Sequence, residues 1–309
     1  MAATKSAVMT GASRGLGWHA AVDILTRDPE RHLVVTTRSA KGELAQALIA
    51  ASGNPNVSEV DCDLSSLASV SAAAEAIREQ AGRADIPPVD LIVANAGVQV
   101  GTRTQASADG LEVTFAVNVL ANFVLLQGLT PVLTPQARIV ITGSDVHFGD
   151  FKHNLGMIPA PQWSDPRTLS RPLAAGDPKA GNGQMAYSTS KLGVLYLVHA
   201  LVRRIPAGVD IYVFNPGLVP GTGLARDYGA LGRWAWDTLM PLLRFTPFAM
   251  SAGQAGALLA EAAVGPRPGE TGSYIDRGTV VPSSAESHDR QREEQLWDFA
   301  AGLLSGTGQ

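Results

Sequence analysis

The chain holds one cysteine in 309 residues, Cys62. An internal disulfide is excluded, and no cysteine cluster offers a metal site. A lone cysteine of this kind reads as a small buried filler. Positive charge is not in excess either: the net charge is −4, and no basic surface points to nucleic acid. The apolar stretches read as too short to cross a bilayer. The start, Met1 to Ser6, lacks the apolar core of a signal peptide, and the cytoplasm is the expected location. No internal repeat, low-complexity tract or composition break marks a second domain. Residues 1–309 therefore read as one domain, and the 45% hydrophobic content suffices for one substantial core.

What is present begins at the amino terminus. Ser6-Ala-Val-Met9 is a short apolar run leading into Thr10-Gly-Ala-Ser-Arg-Gly-Leu-Gly17. An apolar helical pattern follows through Ala20, Ala21, Ile24 and Leu25. Strand, glycine turn and helix start stand in the order a dinucleotide site needs. Glycines let the backbone approach a pyrophosphate, and the helix start supplies free N–H groups and positive dipole. The next strand, His32 to Thr37, ends at Arg38. An acid at that place would bind a ribose 2′-hydroxyl, whereas an arginine suits a 2′-phosphate. Arg38, with Arg14 in the glycine turn, favours NADP over NAD.

Later apolar runs end in small or polar residues. Val57–Val60 leads to Asp61-Cys-Asp-Leu64, Val89–Val93 to Ala94-Asn-Ala-Gly97, Arg138–Thr142 to Gly143-Ser144, and Ile211–Phe214 to Asn215-Pro-Gly217. Runs of this kind, alternating with helical patterns, predict an α/β fold with a parallel sheet covered by helices on both faces. Ligands in such sheets bind at the carboxyl ends of the strands. Farther on, Tyr187 and Lys191 stand four residues apart, on one helix face. A lysine there is expected to lower the phenol pKa from its free value near ~10, which would make the hydroxyl a usable acid or base.

Together these residues resemble the short-chain dehydrogenase/reductase family, over Ser6 to about Tyr274. The motifs stand in family order: Thr10 to Gly17, Asp63-Leu64, Asn95-Ala96-Gly97, Asn118, Ser144, Tyr187 with Lys191, and Pro216-Gly217. Two departures, Ala94 before Asn95 and Gly143 before Ser144, remove no reacting group. Ser144 to His147 and Pro216 to Leu224 look most like the retinol dehydrogenase and protochlorophyllide reductase branch. The resemblance implies a Rossmann-type doubly wound sheet of about seven strands. It implies an NADP(H)-dependent oxidoreductase with Asn118, Ser144, Tyr187 and Lys191 as catalytic residues. Tyr187 would exchange a proton with the substrate oxygen, Ser144 would hydrogen-bond that oxygen, Lys191 would hold the phenol pKa down and bind the nicotinamide ribose, and Asn118 would hold a relay water.

The resemblance also implies the cofactor contacts. Gly11, Ser13, Arg14, Gly15, Leu16 and Gly17 would surround the phosphates. Arg38 and Ser39 would hold the 2′-phosphate, and Asp63 and Leu64 would lie against adenine. Asn95, Ala96 and Gly97 would line the cleft, with Pro216, Gly217 and Val219 at the nicotinamide end. His147, at the expected pocket mouth, is given no chemical role.

Two segments interrupt the strand–helix rhythm. Residues 148–184 carry five prolines and should pass beside the reacting centre. Residues 219–250 hold Tyr228, Trp234, Trp236, Phe245 and Phe248 and correspond to the family's substrate lid; a membrane-surface helix or plain packing stays open. The expected substrate is a sizeable apolar carbonyl or alcohol. The alternatives are a carbon–carbon double-bond reductase, a non-catalytic NADP sensor, and a sugar-nucleotide epimerase or dehydratase. The full set of motif residues disfavours the sensor, and the glycine spacing disfavours the epimerase. A homo-oligomer and a peripheral membrane contact stay open.

Overall fold

The computed structural model describes residues 2–219 and 249–306. Its first part alternates strand and helix: β1 (Lys5–Thr10), α1 (Gly15–Arg27), β2 (Arg31–Thr37), α2 (Glu43–Ser52), β3 (Val57–Asp61), α3 (Leu67–Gly82) and β4 (Val89–Ala94). Next come α4 (Val113–Phe115), a π-helical turn (Ala116–Leu120), α5 (Ala121–Leu129) and β5 (Leu133–Thr142). The remainder holds α6 (Phe151–Asn154), α7 (Pro166–Leu169), α8 (Gly183–Val202), β6 (Asp210–Asn215), α9 (Ala252–Val264), β7 (Tyr274–Asp276), β8 (Thr279–Val281) and α10 (Arg290–Leu304).

The described strands form one sheet in the order β3-β2-β1-β4-β5-β6-β7-β8. The expected parallel sheet is present, with one strand more than the seven foreseen. The added strand is β8, which pairs antiparallel with β7. Arg277 (φ 48°) and Gly278 (φ 89°) form the two-residue turn between them, since positive φ at both centres matches the twist of a tight hairpin. β8 is only three residues long and Thr279 and Val280 are exposed, so its signal in the sequence is weak.

Two apolar cores flank the sheet. On one face α1, α2 and α9 cover Met9, Leu33, Val93 and Phe214. On the other, α3, α5, α8 and α10 cover Val8, Val34, Ile92 and Ile141. Alternate residues of one strand serve opposite cores, as the two-residue period of a strand requires. The order reverses at β1, which pairs with β2 on one side and β4 on the other. Loops there part to opposite faces and leave a crevice at the carboxyl edge.

The run Val113–Val132 is long and apolar enough to cross a membrane by length and composition, contrary to the sequence-based expectation. It is a core helix here: 78% of its most apolar window is buried, mainly between α3 and α8. Within it, a π-helical turn, Ala116–Leu120, carries Asn118. Residues 148–182 are irregular with two short helices, and Gly183 and Gln184 already belong to α8. Most of the aromatic segment, including Trp234 and Trp236, falls outside the described residues, as do the lid and membrane readings of it.

Candidate active site

A cavity of about 600 Å3 opens at the carboxyl edge over β1, β4, β5 and β6. One end is the glycine turn, where Gly11, Ser13, Arg14, Gly15, Leu16 and Gly17 line the wall. A Cβ at Gly17 would lie 2.0 Å from the Gly11 carbonyl oxygen, so α1 approaches the strand end as closely as backbone allows. Asn95 fixes this corner. Its Nδ2 donates to the Gly11 carbonyl (3.1 Å), and its Oδ1 accepts from Thr142 Oγ1 (3.1 Å). The Ala96 N–H donates to Thr10 Oγ1 (3.0 Å). Three strand ends are thus tied together beneath the cleft.

The other end carries the polar cluster. Tyr187, on α8, and Ser144, just past β5, line the cleft together, near enough for the serine hydroxyl to act on the phenol. Lys191 is one turn along α8; its Nζ donates to the Thr142 carbonyl (2.8 Å) and lies 5.7 Å from the centre of the Tyr187 ring. Asn118 donates to the Val98 carbonyl and to Ser190 Oγ, both at 2.9 Å, and accepts from the Val98 N–H at 2.8 Å. A Cβ placed on Gly97 would sit 3.2 Å from Asn118 Oδ1 and 3.6 Å from Lys191 Nζ. Both groups therefore close on Gly97, where a side chain would crowd them. The π-helical turn explains how a polar residue sits in an apolar helix: its widened turn shifts Asn118 toward the loop after β4.

The electrostatics correct one expectation. Burial pushes the Tyr187 phenol up to about 12, against the pull of the Ser144 hydroxyl. Burial lowers the Lys191 ammonium to about 8. Both charged forms lose water in the same closed corner, and that cost outweighs the attraction expected between them.

His147 does not stand at the pocket mouth. It is buried, its ring 4.9 Å from that of Tyr274. Its Nδ1–H donates to the Ser144 carbonyl (2.7 Å), and its Nε2 accepts from the Ser284 N–H (3.2 Å). Both partners fix one neutral tautomer, and burial holds the ring down to about 4. His147 clamps the backbone that carries Ser144.

The expected residues divide into two groups. The glycine turn, Asn95 to Gly97, Ser144, Tyr187, Lys191, Pro216, Gly217 and Val219 all line the cleft. Asn118 stands directly behind it. Arg38, Ser39, Asp63 and Leu64 do not line it; they sit at the ends of β2 and β3, farther along the same edge. Arg38 is exposed, with no ion pair among the described residues. Asp63 Oδ1 accepts from the Ser65 N–H (3.0 Å) and hydroxyl (2.8 Å). Cys62 is buried beside them, its thiol raised to about 11 by burial first and by Asp63 second.

Several lining residues had no sequence signal. His153, Asn154, Met157 and Ile158 come from the irregular segment, and His153 is turned by Asp150, with Nδ1 2.7 Å from Oδ1. Asp145 accepts from the Tyr274 hydroxyl (2.8 Å), a contact across 129 residues. Thr142, Val146, Asn215 and Leu218 had a usable sign, since each stands in or next to a motif read from the sequence.

A nicotinamide dinucleotide fits this arrangement. The glycine turn offers a side-chain-free cradle before a helix start, and two arginines stand unpaired among the described residues at its outer edge, Arg14 and Arg38. Comparisons with known proteins agree. Residues 5–154 match the short chain dehydrogenase family profile. The chain is 30% identical to the chloroplastic protochlorophyllide reductase of Chlamydomonas reinhardtii, over 97% of this chain and 78% of that protein. It is 27% identical to the WW domain-containing oxidoreductase of Drosophila melanogaster, over 97% and 68%. Among solved structures, a blue fluorescent protein from a metagenomic library in complex with NADPH superposes with TM-score 0.60, 26% identity and coverage of 89% and 96%. With the strand order, the glycine turn and the Ser144–Tyr187–Lys191 corner in one cleft, the chain belongs to the short-chain dehydrogenase/reductase family.

Proposed function

We propose that the protein is an NADP(H)-dependent oxidoreductase that moves hydride between the nicotinamide and a carbonyl or alcohol carbon of a sizeable apolar substrate. Residues 1–309 would act as one catalytic domain. The observation that carries this reading is a single cleft with the glycine turn at one end and Tyr187, Ser144 and Lys191 at the other. Gly11, Ser13, Arg14, Gly15, Leu16 and Gly17 hold the phosphates, Arg38 and Ser39 the 2′-phosphate, and Asp63 and Leu64 the adenine. Asn95, Ala96 and Gly97 line the middle, with Pro216, Gly217 and Val219 at the nicotinamide. Tyr187 and Lys191 also take the nicotinamide ribose. The bound dinucleotide supplies or accepts the hydride.

In the reductive direction Tyr187 acts as the acid. Its phenol, near 12, is protonated at neutral pH and gives its proton to the substrate oxygen. The Ser144 hydroxyl donates to the same oxygen and stabilises charge as it develops. Lys191, charged below about 8, offsets the phenolate left behind. Asn118 holds the water through which the corner regains a proton from solvent. Val146, Met157, Ile158 and Leu218 give the substrate end an apolar wall.

The likeness to protochlorophyllide reductase supports a second reading, reduction of a carbon–carbon double bond by the same acid. The chain's one cysteine is against it, being buried at the β3 end and away from the cleft. As for assembly, Trp163 and α10 cover the outer faces of α5 and α8, which supports a single chain over pairing through those helices. A panel of aldehydes, ketones, quinones and enones with NADPH, followed at the nicotinamide absorbance, tests the reading. Turnover of carbonyls is expected. Turnover confined to enones would transfer the assignment to the second reading, and no turnover of any class would reject both.

A further inference from the structure

Several polar side chains of the cleft wall are already committed to the protein. Asp145 accepts from the Tyr274 hydroxyl (2.8 Å). The Asn154 amide donates to the Ile158 carbonyl (2.9 Å) and accepts from the Gly156 N–H (2.8 Å). Asn215 donates to Asp276 (2.9 Å). Two other lining residues, Gln99 and His153, bring polar groups to the wall, and of these His153 is the one held in a fixed pose.

Asp150 sets that pose. It caps the first turn of α6, where its Oδ1 accepts from the His153 N–H (2.9 Å). The same carboxylate meets the ring, with Nδ1 2.7 Å from Oδ1 and 2.9 Å from Oδ2. A carboxylate only accepts, so Nδ1 carries the hydrogen and the neutral ring keeps its lone pair on Nε2. The ring lies flat on Phe148, with 3.7 Å between centres and 9° between planes. Phe148 is packed in turn against His147 at 4.1 Å. Orientation and tautomer are thus set before any ligand arrives, which lowers the cost of binding one. Nε2 has no partner among the described residues, nor is it one of their buried unpaired atoms; the side chain keeps 25% of its surface open. His153 lines the cleft, whereas Asp150, at the ring's other edge, does not.

We propose that Nε2 of His153 is a second recognition point of the cleft, which accepts a hydrogen bond from a hydroxyl that the substrate carries away from its reacting carbon. Met157 and Ile158, from the same loop, wall the apolar body. The substrate class is then an apolar carbonyl or alcohol compound with one further hydroxyl. A methyl ether in place of that hydroxyl has no hydrogen to give Nε2. A carboxylate there would set an anion against a lone pair and near the Asp150 charge. The inference rests on the proposed reaction only for which carbon reacts.

The test uses the full chain, 15N-labelled and saturated with NADP+, so that binding is read without turnover. It is run near pH 8, where a free imidazole is neutral. The ligands are straight-chain methyl ketones from hexanone to dodecanone with a terminal hydroxyl, and the matched methyl ethers and carboxylates. The His153 ring signals are identified as those lost in H153F. At the fitting length the hydroxyl should shift the Nε2 signal saturably and bind about fivefold or more tighter than its ether. H153F keeps an aromatic ring but has no lone pair, so hydroxyl and ether should bind it alike. Asp150→Asn keeps a capping side chain and loosens the tautomer, and should give an intermediate preference, while Q99L should keep that of the wild type. Equal affinity for hydroxyl and ether at every length, or a preference that survives in H153F or vanishes in Q99L, would overturn the subsite. Carboxylates that bind tighter than hydroxyls would overturn the ligand class. Preferential binding of the hydroxyl with no reduction by NADPH would reject the proposed reaction and still support the subsite.

Discussion

Tyr187 and Lys191 share one buried corner, and burial moves their pKa values in opposite directions, the phenol to about 12 and the ammonium to about 8. The acid form of the phenol is then present across the neutral range, and the group that titrates first on raising pH is Lys191. The rate of carbonyl reduction at saturating substrate should hold level to near pH 8 and fall above it, as the cation is lost. A profile flat to pH 10 would remove Lys191 from the reaction. Tyr187→Phe should lower turnover by about 100-fold or more while NADPH still binds, read by fluorescence titration. His147 sets a different test. Asparagine can replace its Nδ1–H donor but not the ring, so His147→Asn should retain more turnover than His147→Phe. Equal loss in both variants would mean that His147 only packs.

At the scale of elements, the strand ends and helix starts decide where chemistry can occur. β2 ends at Arg38, exposed and unpaired among the described residues, where a 2′-phosphate would lie. Arg38→Asp should shift the ratio of NADP to NAD affinity toward NAD by about tenfold or more, on the loss of one charge-assisted contact and the gain of a repulsion. An unmoved ratio would displace the phosphate from β2. The α1–β1 approach gives a sharper case. Gly17→Ala would drive a methyl to 2.0 Å from the Gly11 carbonyl, so the turn must open, and cofactor affinity should fall further than in any arginine variant. Lys191 also bears on stability. Its folded pKa lies below the unfolded value, so the unfolded chain binds more protons between about pH 8 and 10.5. Its contribution therefore disfavours folding below pH 8, and the penalty lessens as pH rises through that window. Lys191→Met should keep or raise the melting temperature at pH 7 while it abolishes turnover.

For the whole molecule, residues 148–182 do two jobs. Their first part, through Ile158, walls the cleft. Their second part covers helices: Trp163 packs on Phe115 (6.3 Å) and Tyr196 (4.6 Å). From the carboxyl side α10 completes the cover, with Trp297 edge-on to Phe123 at 5.0 Å and Arg203 bound to Glu293 (2.6 Å). Removal of Pro159 to Pro178 should therefore unfold this flank rather than merely change substrate choice. Trp163→Ala should cost about 3 kcal/mol of stability, measured by urea unfolding, and sedimentation of the wild type should give one monomeric species.

The sequence by itself determined the sheet, the glycine turn and the family, because those depend on local patterns. Apolar runs of strand length, glycines where backbone must approach backbone, and a tyrosine and lysine one helical turn apart are legible without neighbours. It misjudged the pKa of Tyr187 and the place of His147, and it left no sign of the turn that carries Asn118. Each of these depends on what the folded chain packs against: water excluded from a corner, Ser284 brought to an imidazole 137 residues away, and a loop that draws one widened helical turn toward it. Only the tertiary structure decided which side chains from the irregular segment wall the cleft. Contacts between residues far apart in the chain leave no periodic trace in it.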